Sequence, residues 1–312
     1  VWTYHHALMD GRAQPIVIRE VFEAYNGQTD HWQPPVPYSD YIEWLVARDQ
    51  QADESYWREQ LTGLLAPTPL PEPCPGESLS ASNEGGIGDH RLSAEDTRRL
   101  EAFSQESGFS LNVLLQSAWS LLLHHYSLED DVVYGTVRAA RRSTVPGADG
   151  IVGLFINSLP VRVQIDDEHS LKILLEQVAE QQKAVRPYEH AQLNQIQAWS
   201  DVPREQGLFD SLVIYDHGTV NDRLKALGDE WRKRDFTYLG QTNFPLNLLG
   251  YGGEQLLLRF EYDSSRFAAE TIQRMLGHIA VLLTNMVDNL AMAATAVPYL
   301  TDAERSELSE AA

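Results

Sequence analysis

Residues 1–27 read VWTYHHALMDGRAQPIVIREVFEAYNG, and this stretch sets two adjacent histidines, His5 and His6, shortly before Asp10 and Gly11. The β-branched and aromatic letters of VWTY are typical of the end of a buried strand. The letters after the glycine follow a helical pattern, so the histidines and the aspartate are predicted to lie on a strand-to-helix connection. Such connections often carry functional side chains on a rigid scaffold.

The helix predicted after this connection begins near Pro15, which suits a first helical turn, and ends at Gly27. Its apolar residues recur at nearly helical spacing and predict one apolar stripe, formed by Ile16, Val17, Val21, Phe22 and Tyr25. Two further amphipathic helices are predicted over residues 38–50 and 52–63, the second ending at Gly63. Residues 66–88 are rich in Pro, Ser and Gly, so we predict that they form the boundary between two lobes.

The rest of the chain predicts helices and strands in mixed order. Ser93 suits a helix N-cap, because Asp96 follows three residues later in a pattern like a capping box. Helices are predicted over 93–108, 110–127, 170–186 and 268–290, and strands over 130–139, 209–216, 242–251 and 255–263. Residues 150–165 predict a loop that enters a long strand, in which Val161 and Val163 alternate. Gly252 and Gly253 predict a hairpin between the last two strands. The glycine-rich stretch EGGIGDH at 84–90 is assigned to no element. The fold class is therefore α/β, of the α+β two-layer kind.

The composition restricts the class of partner. The chain has 312 residues and a formal net charge of −21, with 43% hydrophobic and 22% charged residues, which is typical of a globular protein with two domains or lobes. Its acidic surface disfavours nucleic acid and anionic membranes, because both would repel it. The single cysteine, Cys74, cannot form an internal disulfide, which fits a reducing, cytoplasmic setting.

The motif HHALMDG suits acyl transfer, because a neutral imidazole near physiological pH accepts the proton that an attacking amine or hydroxyl must lose. Interpretations other than acyl transfer also stay open. His5 and His6 can be structural, or can bind a metal ion with Asp10 if a further ligand is present. The second pair, His124 and His125, ends an apolar helix and is predicted to interact with the helix dipole. The sequence has no nucleophile elbow, P-loop or Rossmann glycine pattern.

Six segments in order resemble motifs of one family. HHALMDG, YSDYIEW and VGLFINSLPVRV, at 5–11, 38–44 and 152–163, resemble the patterns H-H-x-x-x-D-G, Y-x-D-Y-x-x-W and V-G-x-F-x-N-T-x-P-x-R. RPYEHAQLNQIQ, LFDSLVIYD and TNFPLNLLGY, at 186–197, 208–216 and 242–251, resemble later segments. The chain is thus similar to condensation domains of nonribosomal peptide synthetases. The resemblance implies the chloramphenicol-acetyltransferase-like fold, a V-shaped pair of lobes with the active site between them.

The resemblance also implies residue roles. His6, the second histidine, would be catalytic, either as general base on the acceptor amine or by positioning the amine and stabilising developing charge. His5 and Asp10 would brace the loop, and Gly11 would permit close approach of the substrate. The aspartate of the family pairs with an arginine, which we expect in a segment that precedes Val1. Asn157 and Asn243 match asparagines of the later motifs and would bind substrate at the lobe interface, with a structural hydrogen bond as the alternative.

The implied reaction joins an acyl or peptidyl thioester on a donor carrier protein to an aminoacyl thioester on an acceptor carrier protein. No cofactor or metal would bind directly, because phosphopantetheine arms of the carrier proteins hold both substrates. We expect a truncated N-terminal lobe over 1–88, a C-terminal lobe over 89–297, and a linker over 298–312 toward an adenylation domain in the same polypeptide. We also expect the truncated chain to be inactive.

Two other functions remain open under this resemblance. A condensation-like interface domain would recruit a tailoring enzyme without catalysing condensation, and an epimerisation domain shares the histidine motif. The sequence departs from the family pattern at Arg12, where an aromatic residue is common, and at Ser158, where threonine is commoner. These departures concern the subtype more than the family.

Overall fold

The computed structural model describes residues 1–74, 76–80, 85–141, 144–226, 228–236 and 242–311. These residues form a six-stranded mixed sheet in the order β1-β6-β5-β4-β2-β3. The strands are β1 Gly85–Arg91, β2 Asp131–Ala139, β3 Ile156–Gln164, β4 Ser211–Asp216, β5 Leu246–Tyr251 and β6 Leu257–Asp263. β2, β4 and β5 run parallel to one another, whereas β3, β6 and β1 each pair antiparallel with a neighbour. The mixed α/β class predicted from the sequence is confirmed.

The helices connect and cover the strands. They are α1 Ala13–Tyr25, α2 Tyr38–Val46, α3 Gln50–Leu61, α4 Ala94–Ser107, α5 Leu111–Ser127, α6 Leu171–Ala184, α7 Leu193–Trp199, α8 Val220–Lys225, α9 Asp229–Arg232, α10 Ala269–Met286 and α11 Asp302–Ala311. Ser93 caps α4 as predicted, since its hydroxyl accepts the Asp96 amide at 3.0 Å. The predicted hairpin is also present, because β5 and β6 pair antiparallel across a short loop.

Apolar side chains pack against both faces of the sheet. Val132 and Tyr134 of β2 belong to the larger core with α5, α6 and α10, whereas Val133 between them belongs to a second core with α3 and α7. This alternation follows from the period of two along a strand, and it explains why these strands are apolar on both sides. The helix α3, from the first 65 residues, is thereby packed directly on the sheet.

A third, smaller core lies beside the sheet and positions the site. Tyr41 of α2 packs with Ala148, Ile151 and Phe155 of the connection between β2 and β3, and all four are buried. This connection, residues 140–155, contains a single 3₁₀ turn at Ala148–Gly150 and is otherwise irregular where the structure describes it. Its backbone groups therefore pair partly with one another, in turns, and partly with side chains.

Within residues 1–91 the structure differs from the sequence predictions in several places. Residues 1–4 form no strand, and Val1 and Trp2 are exposed, because no strand among the described residues pairs with them. The unassigned glycine-rich stretch is the edge strand β1, with Gly86 under the Tyr262 ring. The proposed lobe boundary at residue 88 therefore falls inside a strand. The predicted apolar stripe of α1 is partly covered: Ile16, Val17 and Phe22 are half-buried, whereas Val21 is 60% and Tyr25 86% exposed.

The C-terminal segment contains a helix. Within 298–312, predicted as a linker, α11 is anchored because the Glu304 carboxylate accepts from the His278 imidazole at 2.9 Å and from the Thr301 amide at 2.8 Å. Among the described residues, no helix combines the length and the apolar character needed to cross a lipid bilayer.

Candidate active site

The histidine loop, residues 5–11, is a tight turn with an exposed top and a buried base. His5 Nδ1 accepts the Ala7 amide at 3.1 Å, and His6–Leu8 form one 3₁₀ turn. Both imidazoles are exposed, and that of His6 makes no hydrogen bond within the described part of the chain. His5 is thus held by its own loop, while the ring of His6 remains available to a ligand.

Asp10 forms the base of this loop and is fully buried. Its Oδ1 accepts the amides of Arg12 and Ala13, each at 3.0 Å, so the carboxylate lies at the start of α1. Its Oδ2 accepts the Phe155 amide at 3.0 Å, and its own amide donates to the Gly153 carbonyl at 3.2 Å. These bonds satisfy the buried carboxylate and fasten the loop to the connection between β2 and β3.

Arg141 is the cationic partner of Asp10, and it is also buried. Its Nη2 donates to Asp10 Oδ1 at 2.8 Å, and its Nη1 donates to the carbonyls of Ala148 and Ile151 at 2.7 and 2.8 Å. The guanidinium also lies over the Phe155 ring, 4.3 Å from its centroid. One side chain therefore joins the histidine loop to the segment that follows the 3₁₀ turn.

The expectation that the partner arginine precedes Val1 is wrong, because the arginine is Arg141 of this chain. Sequence reasoning missed it since Arg138, Arg141 and Arg142 occur within five positions, and nothing in their spacing selects one. Arg138 has a different role, because it donates to the Glu189 carboxylate at 3.1 Å.

The two asparagines predicted to bind substrate lie near opposite ends of the strands of the sheet. Asn157 is at the start of β3, which pairs with the end of β2, whereas Asn243 precedes the start of β5. Because β5 runs parallel to β4 and β4 to β2, Asn243 lies at the other end of these strands, away from Asp10. The structure thus brings Asn157 near the histidine loop and does not bring Asn243 there.

Asn157 makes the structural hydrogen bonds that were the alternative to substrate binding. Its amide donates to the carbonyls of Glu189 and Ala191 at 3.1 and 2.6 Å, on either side of His190. Burial lowers the pKa of His190, and together with the positive charge of Arg48 brings it to about 4. The ring also contacts Trp44 edge-on at 4.7 Å. This segment is therefore a packed support beneath β3.

The charges at the end of β4 face the start of α1. Asp216 ends β4 and forms an ion pair with Arg223 of α8, a helix that contacts α1. Burial lowers the pKa of Arg223, and the nearby positive charge of Arg12 lowers it further. Arg12, at the start of α1, therefore lies near a second arginine, whose charge is paired with Asp216.

The metal interpretation of the histidine motif has little geometric support. Asp10 is buried and its oxygens already accept four hydrogen bonds, whereas His5 and His6 are exposed on the other side of the turn. In the ranges that the structure describes, no three side chains of His, Cys, Asp or Glu converge as metal ligands would. A Cβ added to Gly11 would meet open space, so the closeness of Gly11 to a substrate stays a prediction.

The second histidine pair lies far along the chain, at the end of α5. His124 Nδ1 contacts the Glu129 carbonyl at 3.0 Å, in the loop beyond α5, so its interaction with the helix dipole stays a prediction. His125 stacks on Tyr299 at 4.3 Å, and burial lowers its pKa to about 4. This pair therefore supports the C-terminal segment and takes no part in the histidine loop.

Comparisons of sequence and of structure with known proteins point to the same family. A family model described as the condensation domain matches residues 1–309. The chain is 36% identical over 320 residues to a linear gramicidin synthase of Brevibacillus parabrevis, in an alignment that covers 98% of this chain and 4% of that protein. It is 34% identical to chondramide synthase of Chondromyces crocatus, over 99% of this chain and 8% of that protein. The chain therefore spans a small part of the curated relatives that it matches.

Solved structures share the fold. A four-domain nonribosomal peptide synthetase bound to AMP and glycine superposes with a TM-score of 0.77 at 19% identity, covering 96% of this chain and 24% of that one. The X-domain in complex with OxyB from teicoplanin biosynthesis superposes with a TM-score of 0.76 at 18% identity, covering 96% and 69%. At these identities the likeness concerns the fold.

Proposed function

Because the chain belongs to the condensation-domain family of nonribosomal peptide synthetases, we propose that it forms an amide bond between two substrates held as thioesters on carrier proteins. Condensation domains of these synthetases catalyse amide-bond formation, an acyl transfer. The partners would be a donor and an acceptor peptidyl carrier protein, each with a phosphopantetheine arm, together with an adenylation domain of the same polypeptide.

The proposed step conserves atoms and electrons without a redox partner. The acceptor amine nitrogen attacks the carbonyl carbon of the donor thioester, the C–N bond forms and the C–S bond breaks. The proton that leaves the amine passes to the imidazole of His6 and then to the departing sulfur of the donor arm. The products are an extended acyl chain on the acceptor arm and a free thiol on the donor arm.

One observation carries this proposal: an unengaged, exposed His6 sits on a loop whose base is fixed by the buried Asp10. A general base must be free to meet its substrate, and its carrier must be rigid enough to keep the reacting atoms within hydrogen-bond reach. His5, whose Nδ1 is occupied by the Ala7 amide, suits the bracing role.

The test is His6→Ala in the polypeptide that contains this chain, with both carrier proteins loaded. We expect the rate of amide formation, followed by mass spectrometry of the acceptor arm, to fall about 100-fold or more, as for the loss of a general base. His169→Ala is the control. It removes a half-exposed imidazole beyond the C-terminal end of β3, whereas the histidine loop is fastened near its N-terminal end, so the rate should be unchanged.

Two outcomes would contradict the proposal. Full turnover by His6→Ala would remove this imidazole from the reaction. A wild-type polypeptide that binds carrier proteins or a tailoring enzyme, yet forms no amide, would favour the interface role over catalysis.

A further inference from the structure

The helix α2 holds the segment Gly153–Phe155 from one side. The Tyr38 hydroxyl donates to the Leu154 carbonyl at 2.6 Å, a contact between residues 116 positions apart. Its ring lies against Gly153 so closely that a Cβ there would be 2.1 Å from Tyr38 Cδ2. A glycine is therefore required at this position, and the segment packs closely against the Tyr38 ring of α2.

The ring of Tyr41 holds the same segment one turn further along α2. It packs on Phe155 with the ring centroids 4.2 Å apart, and the guanidinium of Arg141 lies 4.3 Å from the same Phe155 ring. Tyr41 is 5% exposed, so this contact belongs to the interior. We call Tyr38 and Tyr41 on this segment the α2 clamp.

The clamped segment is the one that binds Asp10. The Gly153 carbonyl accepts the Asp10 amide at 3.2 Å, and the Phe155 amide donates to Asp10 Oδ2 at 3.0 Å. The carbonyl that Tyr38 binds, that of Leu154, lies between these two groups. A shift of this peptide unit would therefore change both hydrogen bonds to Asp10, and with them the base of the histidine loop.

We propose that Tyr38 is a positioning residue, whose hydroxyl fixes the Leu154 carbonyl and thereby the hydrogen bonds that orient the histidine loop. The effect on turnover rests on the proposed function, whereas the effect on the loop does not. The YSDYIEW segment thus acts on the HHALMDG segment through the connection between β2 and β3, with no direct contact to the substrate required.

The chemistry of Tyr38 agrees with a permanent donor role. Burial raises the pKa of its hydroxyl, and the negative charge of Asp10 raises it further, although the hydrogen bond to Leu154 and the charge of Arg141 act in the opposite direction. The hydroxyl therefore keeps its proton near neutral pH, where the contact does not switch with pH.

The first experiment measures amide hydrogen exchange in the full chain carrying Tyr38→Phe. Exchange at Arg12, Ala13 and Phe155, whose amides donate to Asp10, should become about five- to tenfold faster, since one buried hydrogen bond is lost. Tyr56→Phe is the matched control, because Tyr56 stacks on Tyr188 at 4.1 Å outside the clamp. It should leave these three amides unchanged.

A local effect distinguishes positioning from general destabilisation. Acceleration at these amides, with exchange in α10 unchanged, would support the proposal. Unchanged exchange in Tyr38→Phe, an equal acceleration in Tyr56→Phe, or an acceleration that extends equally to α10 would overturn it.

The second experiment measures amide formation by the Tyr38→Phe polypeptide. We expect kcat to fall several-fold while KM for the carrier proteins is unchanged, because the hydroxyl is bonded to the Leu154 carbonyl and would act only through it. A rise in KM with kcat unchanged would contradict the positioning role. If the wild-type polypeptide forms no amide, the proposed function fails, and the exchange result alone decides the proposal for Tyr38.

Discussion

The Asp10–Arg141 pair is the residue-scale feature on which the site depends. Both side chains are fully desolvated, which is costly for each charge alone. Here the carboxylate accepts three backbone amides as well as the guanidinium, and the guanidinium donates to carbonyls of the Ala148–Ile151 turn. Because the partners come from segments 131 positions apart, the pair selects one arrangement of these segments.

The first prediction concerns Arg141→Met, which keeps an apolar stem and removes the charge. We expect the free energy of unfolding to fall by about 3–5 kcal/mol in urea, because a buried carboxylate is left uncompensated. Arg99→Met is the control, since its ion pair with Asp288 is exposed and should be worth less than about 1 kcal/mol. Equal effects of the two substitutions would show that burial of the pair does not matter.

The second prediction concerns His190, whose imidazole is buried beside Trp44 and Tyr41. Burial lowers its pKa from 6.5 to about 4, so between these pH values the unfolded chain binds a proton that the native chain does not. The stability from the neutral ring is therefore complete above pH 6.5 and is lost as the pH falls toward 4. His190→Gln should flatten urea midpoints plotted across this range. A profile as steep as that of the wild type would assign the pH dependence to other groups.

At the scale of elements, a serine that precedes a helix caps it in one place and not in another. α4 begins at the Ser93 cap and ends at Gly108, whose φ of 78° lies in the left-handed region that glycine adopts without strain. α6 also follows a serine, Ser170, but the side chain of that serine makes no capping hydrogen bond. Ser93 therefore stabilises the start of α4 by a hydrogen bond that Ser170 does not make at the start of α6.

The third prediction uses this difference. Ser93→Ala should lower the free energy of unfolding by about 1 kcal/mol, because the Asp96 amide loses its acceptor. Ser170→Ala should lower it by less than half as much, and urea unfolding of both variants measures the comparison. A cost at Ser170 as large as that at Ser93 would contradict the role of the capping hydrogen bond.

At the scale of the whole molecule, the sheet joins the first 65 residues to the rest. Leu61 of α3 is 1% exposed in the second core, on one face of the sheet, and Leu121 of α5 is fully buried in the larger core. The strand β2 contributes side chains to both cores. The two cores thus share one backbone layer.

The fourth prediction follows from this shared layer. Leu61→Ala and Leu121→Ala should each lower the free energy of unfolding by about 2–5 kcal/mol, and each should keep one transition with coincident fluorescence and circular dichroism. A separate, earlier transition in Leu61→Ala alone would show that residues 1–88 unfold as an independent lobe, as the sequence boundary suggested.

The sequence by itself determined the elements with strong periodicity or local end signals, such as α4, α5 and the β5–β6 hairpin, and it determined the family through six ordered motifs. These features depend on residues that are close in sequence, so a short sequence pattern is enough to predict them. It also identified His6 and Asp10 as candidate site residues, because their spacing within one turn is local.

Only the tertiary structure decided the rest. It identified Arg141 among three nearby arginines, assigned β1 to a glycine-rich stretch, and separated Asn243 from the histidine loop. Each of these depends on pairing between residues distant in sequence, where long-range sterics, burial and strand order select the partner. A local sequence pattern carries no information about those contacts. Only the three-dimensional structure therefore identifies the arginine beside Asp10.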